Sequence, residues 1–461
     1  MTRKVYDVTD LGPGDGGKGG VVHTVATMMD AHTIIKEGGA QGQHGVCTSR
    51  GESYAFSQWG CGTFEGIRTH ISPRMVISPS GLLNEGNRLR YEHGIYNVFD
   101  LLTVDCRALC ATPYHGFASR IKEMARGKNP RGTIGTGVGE AYRDMQRFPE
   151  LAIRAGELSH PNLRDRLAAV REQIRRDIAP VISGEFLPED RACVAEEAEL
   201  LENDAFLDHL VARFNLVPLR IKIVDPDFLG REIFSRDGVV VVESSHGILT
   251  DRYHGFYPHN SAIRTLPCFK HAGLREAGYD GQIVKLGVTR AYQIRHGAGP
   301  MPTDDPAMVE KLLPGSHKCN NRYQGEVRVG PLDLVLLKYA IEVCGGPGAF
   351  DGLAITWFDQ IQVNGEWHLC ERYQNASDQN FFTPDGVIKV RRGENAEQLQ
   401  YQENLGRQLQ GCIPEITTHK VKSNERREEL YSLCGSVLKD RLGVSVRMVS
   451  FGPTELDKVC K

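Results

Sequence analysis

Hydrophobic and polar positions follow two different periods along the 461-residue chain. Lys4-Val5-Tyr6-Asp7-Val8-Thr9 reads as an opening strand, and Met75-Val76-Ile77-Ser78, Gly238–Glu243, Gln282–Thr289 and Phe350–Phe358 read as further strands. The four consecutive valines at 239–242 suit a strand covered on both faces, as in a parallel sheet. Between about 160 and 215 the period lengthens. Leu163, Leu167, Val170, Ile174 and Ile178 recur at spacings of three and four with charged residues between them, which predicts an amphipathic helix. Glu196 to Phe214 predicts a second. Strands resume afterwards, so the helical stretch, about residues 155–215, reads as an insertion within one α/β unit. Clusters of Pro and Gly at 225–238 and 297–303 read as connections. The expected fold is one α/β domain over residues 1–461, with a large, mostly parallel central sheet and flanking helices.

Charge changes this picture little but excludes several functions. With 55 Lys+Arg against 58 Asp+Glu, the net charge is −3. Binding to nucleic acid relies on clustered basic residues, so no nucleic-acid partner is expected. No apolar run reaches the roughly 18 residues that a membrane span needs, and Met1-Thr2-Arg3-Lys4 lacks the apolar core of a signal peptide. A cytoplasmic protein is expected. Its 12 cysteines include no C-x2-C pair and follow neither a zinc nor a disulfide spacing. They read mainly as buried small hydrophobes in a reducing compartment.

Glycine is the informative residue. There are 50, gathered in short clusters, which points to backbone that bends sharply or approaches a ligand closely. The opening strand feeds Gly12-Pro13-Gly14-Asp15-Gly16-Gly17-Lys18-Gly19-Gly20 and then a helix-compatible segment. Strand, glycine loop and helix N-terminus present backbone N–H groups to phosphate. The loop satisfies most of a P-loop pattern but carries Gly19 where a metal-binding Ser or Thr would stand. Asp15 offers an alternative hard oxygen ligand. A second cluster runs Gly38-Gly39-Ala40-Gln41-Gly42-Gln43-His44-Gly45, and a third Arg131-Gly132-Thr133-Ile134-Gly135-Thr136-Gly137-Val138-Gly139-Glu140-Ala141-Tyr142. The Thr hydroxyls and amides of the third suit a nucleotide 5′-phosphate. Two more follow at Glu243-Ser244-Ser245-His246-Gly247 and at Arg295-His296 through Thr303. The strand end at 243 lies where ligands sit in parallel sheets.

Taken in order, these clusters resemble the adenylosuccinate synthetase family, which joins aspartate to carbon 6 of inosine monophosphate at the expense of GTP. The family's Q-W-G-D-E-G-K-G-K is similar to residues 12–20, and its G-G-x-N-A-G-H-T to residues 38–45. Its T-T-G-R-G-I-G-P-A-Y resembles residues 133–142, and its E-G-A-Q-G resembles residues 243–247. H-G-T-Y-P resembles His254 to Pro258, and A-Y-x-T-R-x-G-x-G-P-x-P-T is nearly intact from Ala291 to Thr303. G-W-L-D resembles Gly330 to Asp333, the guanine-reading T-K-x-D resembles Thr356-Trp357-Phe358-Asp359, and the final S-T-G-P resembles Ser450-Phe451-Gly452-Pro453.

The resemblance implies roles. Asp15 would draw the proton from purine N1 and bind Mg²⁺ together with Gln43. Lys18 would neutralise phosphate charge, and His44 would act as an acid on the β/γ bridging oxygen. Gly14, Gly16, Gly17, Gly19, Thr133, Gly135, Arg147, His246, Ser261, Asp359, Ser450, Gly452 and Pro453 would contact nucleotides, the last four in a base-binding part at about 335–461. Arg322 and Arg328 would hold the amino acid. A homodimer is implied, with Arg147 the nearest candidate to cross into the partner's site. The partners implied are a purine nucleoside monophosphate, an amino acid and GTP or ATP.

Departures concentrate at the substrates. The family's T-T-G-R-R-R-R loop is Arg322-Tyr323-Gln324-Gly325-Glu326-Val327-Arg328 here, too few arginines for two bidentate carboxylate clamps. His246 replaces a glutamine, Ile134 a threonine and Trp357 a lysine. A phage branch acting on deoxyguanylate replaces the loop aspartate with a small hydroxyl residue, whereas this chain keeps Asp15. A ligase of this type is one reading, with inosine monophosphate and aspartate as the simplest pair. A paralogue using another purine nucleotide, such as dGMP, or another amino acid in modified-nucleotide or natural-product synthesis is a second. A nucleotide-binding homologue without catalysis is a third. A simple P-loop kinase is disfavoured by Gly19.

Overall fold

A computed structural model describes residues 3–314 and 322–461. Its centre is an 11-stranded sheet. From one edge the order is Lys458–Cys460, Val446–Ser450, Gly352–Thr356, Gln282–Arg290, Lys4–Asp10, Val239–Gly247, Ala31–Gly39, Arg68–Ile77, Leu102–Asp105 and Lys222–Val224, with Leu109–Cys110 also pairing Arg68–Ile77. Every pairing is parallel except the antiparallel edge between Val446–Ser450 and Lys458–Cys460. The valine run at 239–242 lies in this interior, as its apolar character on both faces requires.

The five strands read from the pattern are present, each shifted or extended at its ends. One central strand, Ala31–Gly39, was not legible. It carries Lys36 and Glu37, both buried, and its last residues are the glycines that read as a loop. The register explains how charges are tolerated there. Lys36 stands beside Glu243 and Glu37 beside Ser244. Lys36 donates to the Glu243 carboxylate, and Ser72 donates to Glu37 at 3.3 Å.

The helical insertion contains Leu163–Ile182, Arg191–Glu202 and Asp204–Asn215. All five predicted apolar positions of the first helix are buried in the same core as Trp59, Ile71 and the first helix of the chain. The second predicted helix is two. They are separated at Asn203, whose side chain accepts from the Phe206 N–H at 3.0 Å and so starts a new helix. The 225–238 connection contains a turn of π-helix at Leu229–Phe234. A second core gathers Leu334 to Ile341, Leu353, Ile355, Trp367 and Leu430.

The cysteines are less buried than their type suggests. Among the described residues Cys61, Cys110, Cys370 and Cys434 are buried and Cys268 is exposed; the others lie between, and all are free. No helix among the described residues is long and apolar enough to cross a membrane.

Candidate active site

The first strand delivers Asp10 to the mouth of the glycine loop. Asp10 Oδ1 accepts the Gly12 N–H at 2.8 Å, and Oδ2 accepts the Gly16 N–H and Lys18 Nζ, each at 2.8 Å. Both charged groups are buried. The loop's donors and its lysine therefore hold an internal carboxylate. Gly17 caps the following helix, Lys18–Met28, with φ 86°, and a Cβ there would lie 2.7 Å from Thr356 Oγ1. At Gly19 a Cβ would lie 2.3 Å from the Gly45 carbonyl oxygen. The hydroxyl residue of an ordinary P-loop has no room at this position, because the second glycine segment packs directly on the helix start.

Asp15 sits at the tip of the loop in the left-handed region, φ 59°. Two groups hold it. Arg290 Nε donates to the Asp15 carbonyl at 2.6 Å, and His296 Nε2 lies 2.9 Å from Asp15 Oδ2. Arg290 also donates to Tyr292 Oη at 2.6 Å, and its guanidinium lies 4.4 Å from the centre of the Trp357 ring. It ties the loop tip to the segment expected to read the triphosphate base.

His44 is buried behind the loop. Its Nδ1 lies 2.5 Å from Glu243 Oε1, the same oxygen that Lys36 holds, while Cys61 N–H donates to Oε2 at 2.9 Å. Burial alone would raise the Glu243 pKa, but Lys36 and His44 outweigh it and hold the carboxylate well below its usual range. Burial, then the Lys36 charge, push His44 down to about 4 against a partial offset from Glu243. His44 is therefore neutral at pH 7. With an ionised Glu243 as acceptor, the proton sits on Nδ1 and Nε2 carries a lone pair. His44, Cys61 and Glu243 have ligand atoms within 4.8 Å of one another, but the Lys36 ammonium already occupies the carboxylate, which disfavours a cation there.

The loop tip meets a cavity of about 430 Å³. Gly14, Asp15, Thr133, His246, Ser261 and His296 line it. His246, also in the left-handed region at φ 68°, has its Nε2 2.7 Å from Gln41 Nε2, and burial together with Lys18 lowers its pKa to about 4. Thr133 Oγ1 accepts the Gly135 N–H at 3.1 Å, which folds the third glycine cluster around that hydroxyl. Ser261 Oγ accepts the Ile263 N–H at 3.1 Å.

The remaining sequence-predicted residues lie elsewhere. Gln43 is exposed beside buried His44. Asp359 accepts from Gln360 at 2.8 Å. Ser450 Oγ donates to the Gly452 carbonyl at 2.9 Å, which also receives Lys458 Nζ at 2.7 Å. Gly20 is close to the Pro453 carbonyl, so this last segment borders the glycine loop. Arg147 pairs with Asp177 at 2.8 Å on an exposed surface. Arg322 pairs with Asp190 at 2.7 Å, on the helical insertion. Arg328 donates to the carbonyls of Gly297 and Gly299 at 2.8 and 2.7 Å and pairs with Asp304 at 3.2 Å. Both arginines are thus engaged by the protein itself.

Several site residues were not singled out from the sequence: Asp10, Lys36, Glu243, Arg290 and His296. Glu243 left a signal, since it is a carboxylate ending a run of four valines. Asp10 left none, because its role depends on how the loop folds back over it.

Comparison with known proteins gives the family. The chain matches the adenylosuccinate synthetase family model over residues 8–459. It is 30% identical over 446 residues to the adenylosuccinate synthetase of Thioalkalivibrio sulfidiphilus, covering 95% of this chain and 94% of that one. Identity to the enzyme of Pelodictyon phaeoclathratiforme is 25% over 447 residues, covering 95% and 93%. Among solved structures, fully ligated adenylosuccinate synthetase from Plasmodium falciparum shares the fold with a TM-score of 0.74 at 18% identity, over 99% of each chain. The cyanophage S-2L succinoaminodeoxyadenylate synthetase, bound to dGMP and to dATP as an energy donor, shares it with a TM-score of 0.57 at 15% identity, over 100% of this chain and 96% of that one. With the family model spanning nearly all of its length, the chain belongs to the adenylosuccinate synthetase family.

Proposed function

We propose that this C–N ligase takes a purine nucleoside monophosphate of the inosine monophosphate type, has its 6-oxygen phosphorylated by GTP or ATP, and joins an amino acid at carbon 6. L-Aspartate is the simplest amine. The observation that carries the reading is the arrangement of Asp15 at the loop tip, facing the cavity, with Lys18 and the Glu243-held His44 behind it.

Asp15 accepts the N1 proton, so that electron density moves to the 6-oxygen as it attacks the γ-phosphate. Amides of the glycine loop and Lys18 stabilise the charge that develops on the transferring phosphoryl group. Lys18 does so by sharing or leaving Asp10. His44 is neutral in the resting site and acts as an acid only after gaining a proton. A neighbouring triphosphate favours that form, and Glu243 stabilises the imidazolium. The amine then displaces phosphate from carbon 6. Thr133, Ser261 and the loop amides around Gly135 hold the monophosphate, and the Trp357–Asp359 and Ser450–Pro453 segments hold the triphosphate base. The donor set suits Mg²⁺, since Asp15 and the main chain at Gln43 offer hard oxygens and the softer His44–Cys61–Glu243 group is occupied by Lys36. When bound, Mg²⁺ supplies neutralisation of triphosphate charge. A homodimer completes the reading, with Arg147 on an accessible face.

Phosphate release from GTP and from ATP, measured across a matrix of purine monophosphates and amino acids, tests it. Turnover that depends on both substrates and disappears in Asp15→Ala is expected. Absence of turnover with every pair overturns it. A second reading, the same chemistry with an amine other than aspartate, is favoured by the engagement of Arg322 and Arg328 within the protein. The amino-acid axis of the matrix separates the two.

A further inference from the structure

Two clamps on Asp15 come from one short stretch of chain. Arg290, the last residue of its strand, holds the Asp15 carbonyl. His296, the last residue of the next strand, Gln293–His296, meets its carboxylate. Asp15 needs such support, because it is a non-glycine residue held at positive φ.

The strand bearing His296 is itself fixed from behind. It pairs antiparallel with Val327–Gly330, His296 opposite Val327. From that partner strand Arg328 reaches the carbonyls of Gly297 and Gly299. A Cβ at Gly297, φ 66°, would lie 2.0 Å from the Gln324 carbonyl oxygen, so the loop after His296 is packed against the altered arginine loop. A continuous set of contacts thus runs from residues 324–328 through 297–299 and His296 to Asp15.

We propose that His296 is the positioning residue of this chain's general base: it fixes the orientation of the Asp15 carboxylate toward the purine, and Arg328 fixes His296. This rests on the ligase reading for what Asp15 does, though not for where it points. Holding a base within a few tenths of an ångström of its productive geometry acts on the chemical step more than on binding. His296→Gln keeps an N–H donor near the Asp15 carboxylate, whereas His296→Leu fills similar space without one.

Crystal structures of the parent and of His296→Leu, together with steady-state kinetics of both variants, test the proposal. In His296→Leu the Asp15 side chain is expected to leave its position, kcat to fall by about 10- to 100-fold, as for other residues that orient a reacting group, and KM for the nucleoside triphosphate to change little. His296→Gln is expected to restore Asp15 and most of kcat. An unmoved Asp15 in His296→Leu overturns the proposal, and so does equal impairment of both variants. Should the parent turn over no substrate pair, the ligase reading fails, while the position of Asp15 in the two crystals still decides this inference.

Discussion

The two halves of the site are built on different principles. Around the glycine loop, charged side chains are buried and each is answered by a fixed counter-charge, Lys18 by Asp10 and Lys36 by Glu243, while the neutral His44 is held by the same Glu243 carboxylate. In the segment 322–328, Arg322 is half-exposed and paired with Asp190, and Arg328 is spent on main-chain carbonyls. A strand end inside a parallel sheet fixes a side chain through its neighbours on both sides, so this buried half tolerates little change. A loop of exposed, self-paired residues can exchange them, and on the proposed reading this is where binding of the amine is free to diverge, so that chemistry and substrate choice fall to separable parts.

The largest expected effect tests the buried half. Asp15→Asn removes the proposed base while keeping the shape, and phosphate release is expected to fall by about 10³-fold while calorimetry still detects nucleotide binding. Retained turnover would move the base elsewhere. Next is Glu243→Gln, which leaves Lys36 buried beside a neutral amide. A loss of about 3–5 kcal/mol is expected in denaturant unfolding; a loss below about 1 kcal/mol, the range of exposed ion pairs, would erase the contrast between the halves.

A pH effect sharpens the same contrast. Folded His44 takes a proton only near pH 4, whereas in the unfolded chain it does so near 6.5. Between these values the unfolded state binds the extra proton, so the contribution of His44 to stability is complete above pH 6.5 and is lost as pH falls toward 4. His44→Gln is therefore expected to flatten the decline of melting temperature between pH 6.5 and 4.5. A decline as steep as the parent's would contradict the neutral His44. The smallest effect belongs to the segment 322–328. Arg322→Ala is expected to change stability by at most about 1 kcal/mol and to leave KM for the amine unchanged. A tenfold rise in that KM would return Arg322 to the substrate.

What the sequence disclosed follows the same division. Local signals sufficed where chemistry and backbone geometry coincide: the strand–glycine–helix passage at 4–28 and the apolar spacing of Leu163 to Ile178 both reappear in the fold. The strand Ala31–Gly39 was hidden because Lys36 and Glu37 read as polar, and their partners lie on other strands. His296 was hidden for a related reason. A single histidine beside a glycine turn carries no signature until an antiparallel pairing brings it to Asp15. Arg322 and Arg328 show the converse: the family resemblance implied a grip on substrate, and only three-dimensional contacts show both engaged by the protein.

Asp10 sets what a ligand must offer the glycine loop. Its carboxylate neutralises Lys18 inside the loop, so on the proposed reading a phosphate group competes with this carboxylate for the lysine. The loop is also already folded around that carboxylate, so an arriving nucleotide has less chain to order. Only a ligand bringing more negative charge than one carboxylate can draw Lys18 away.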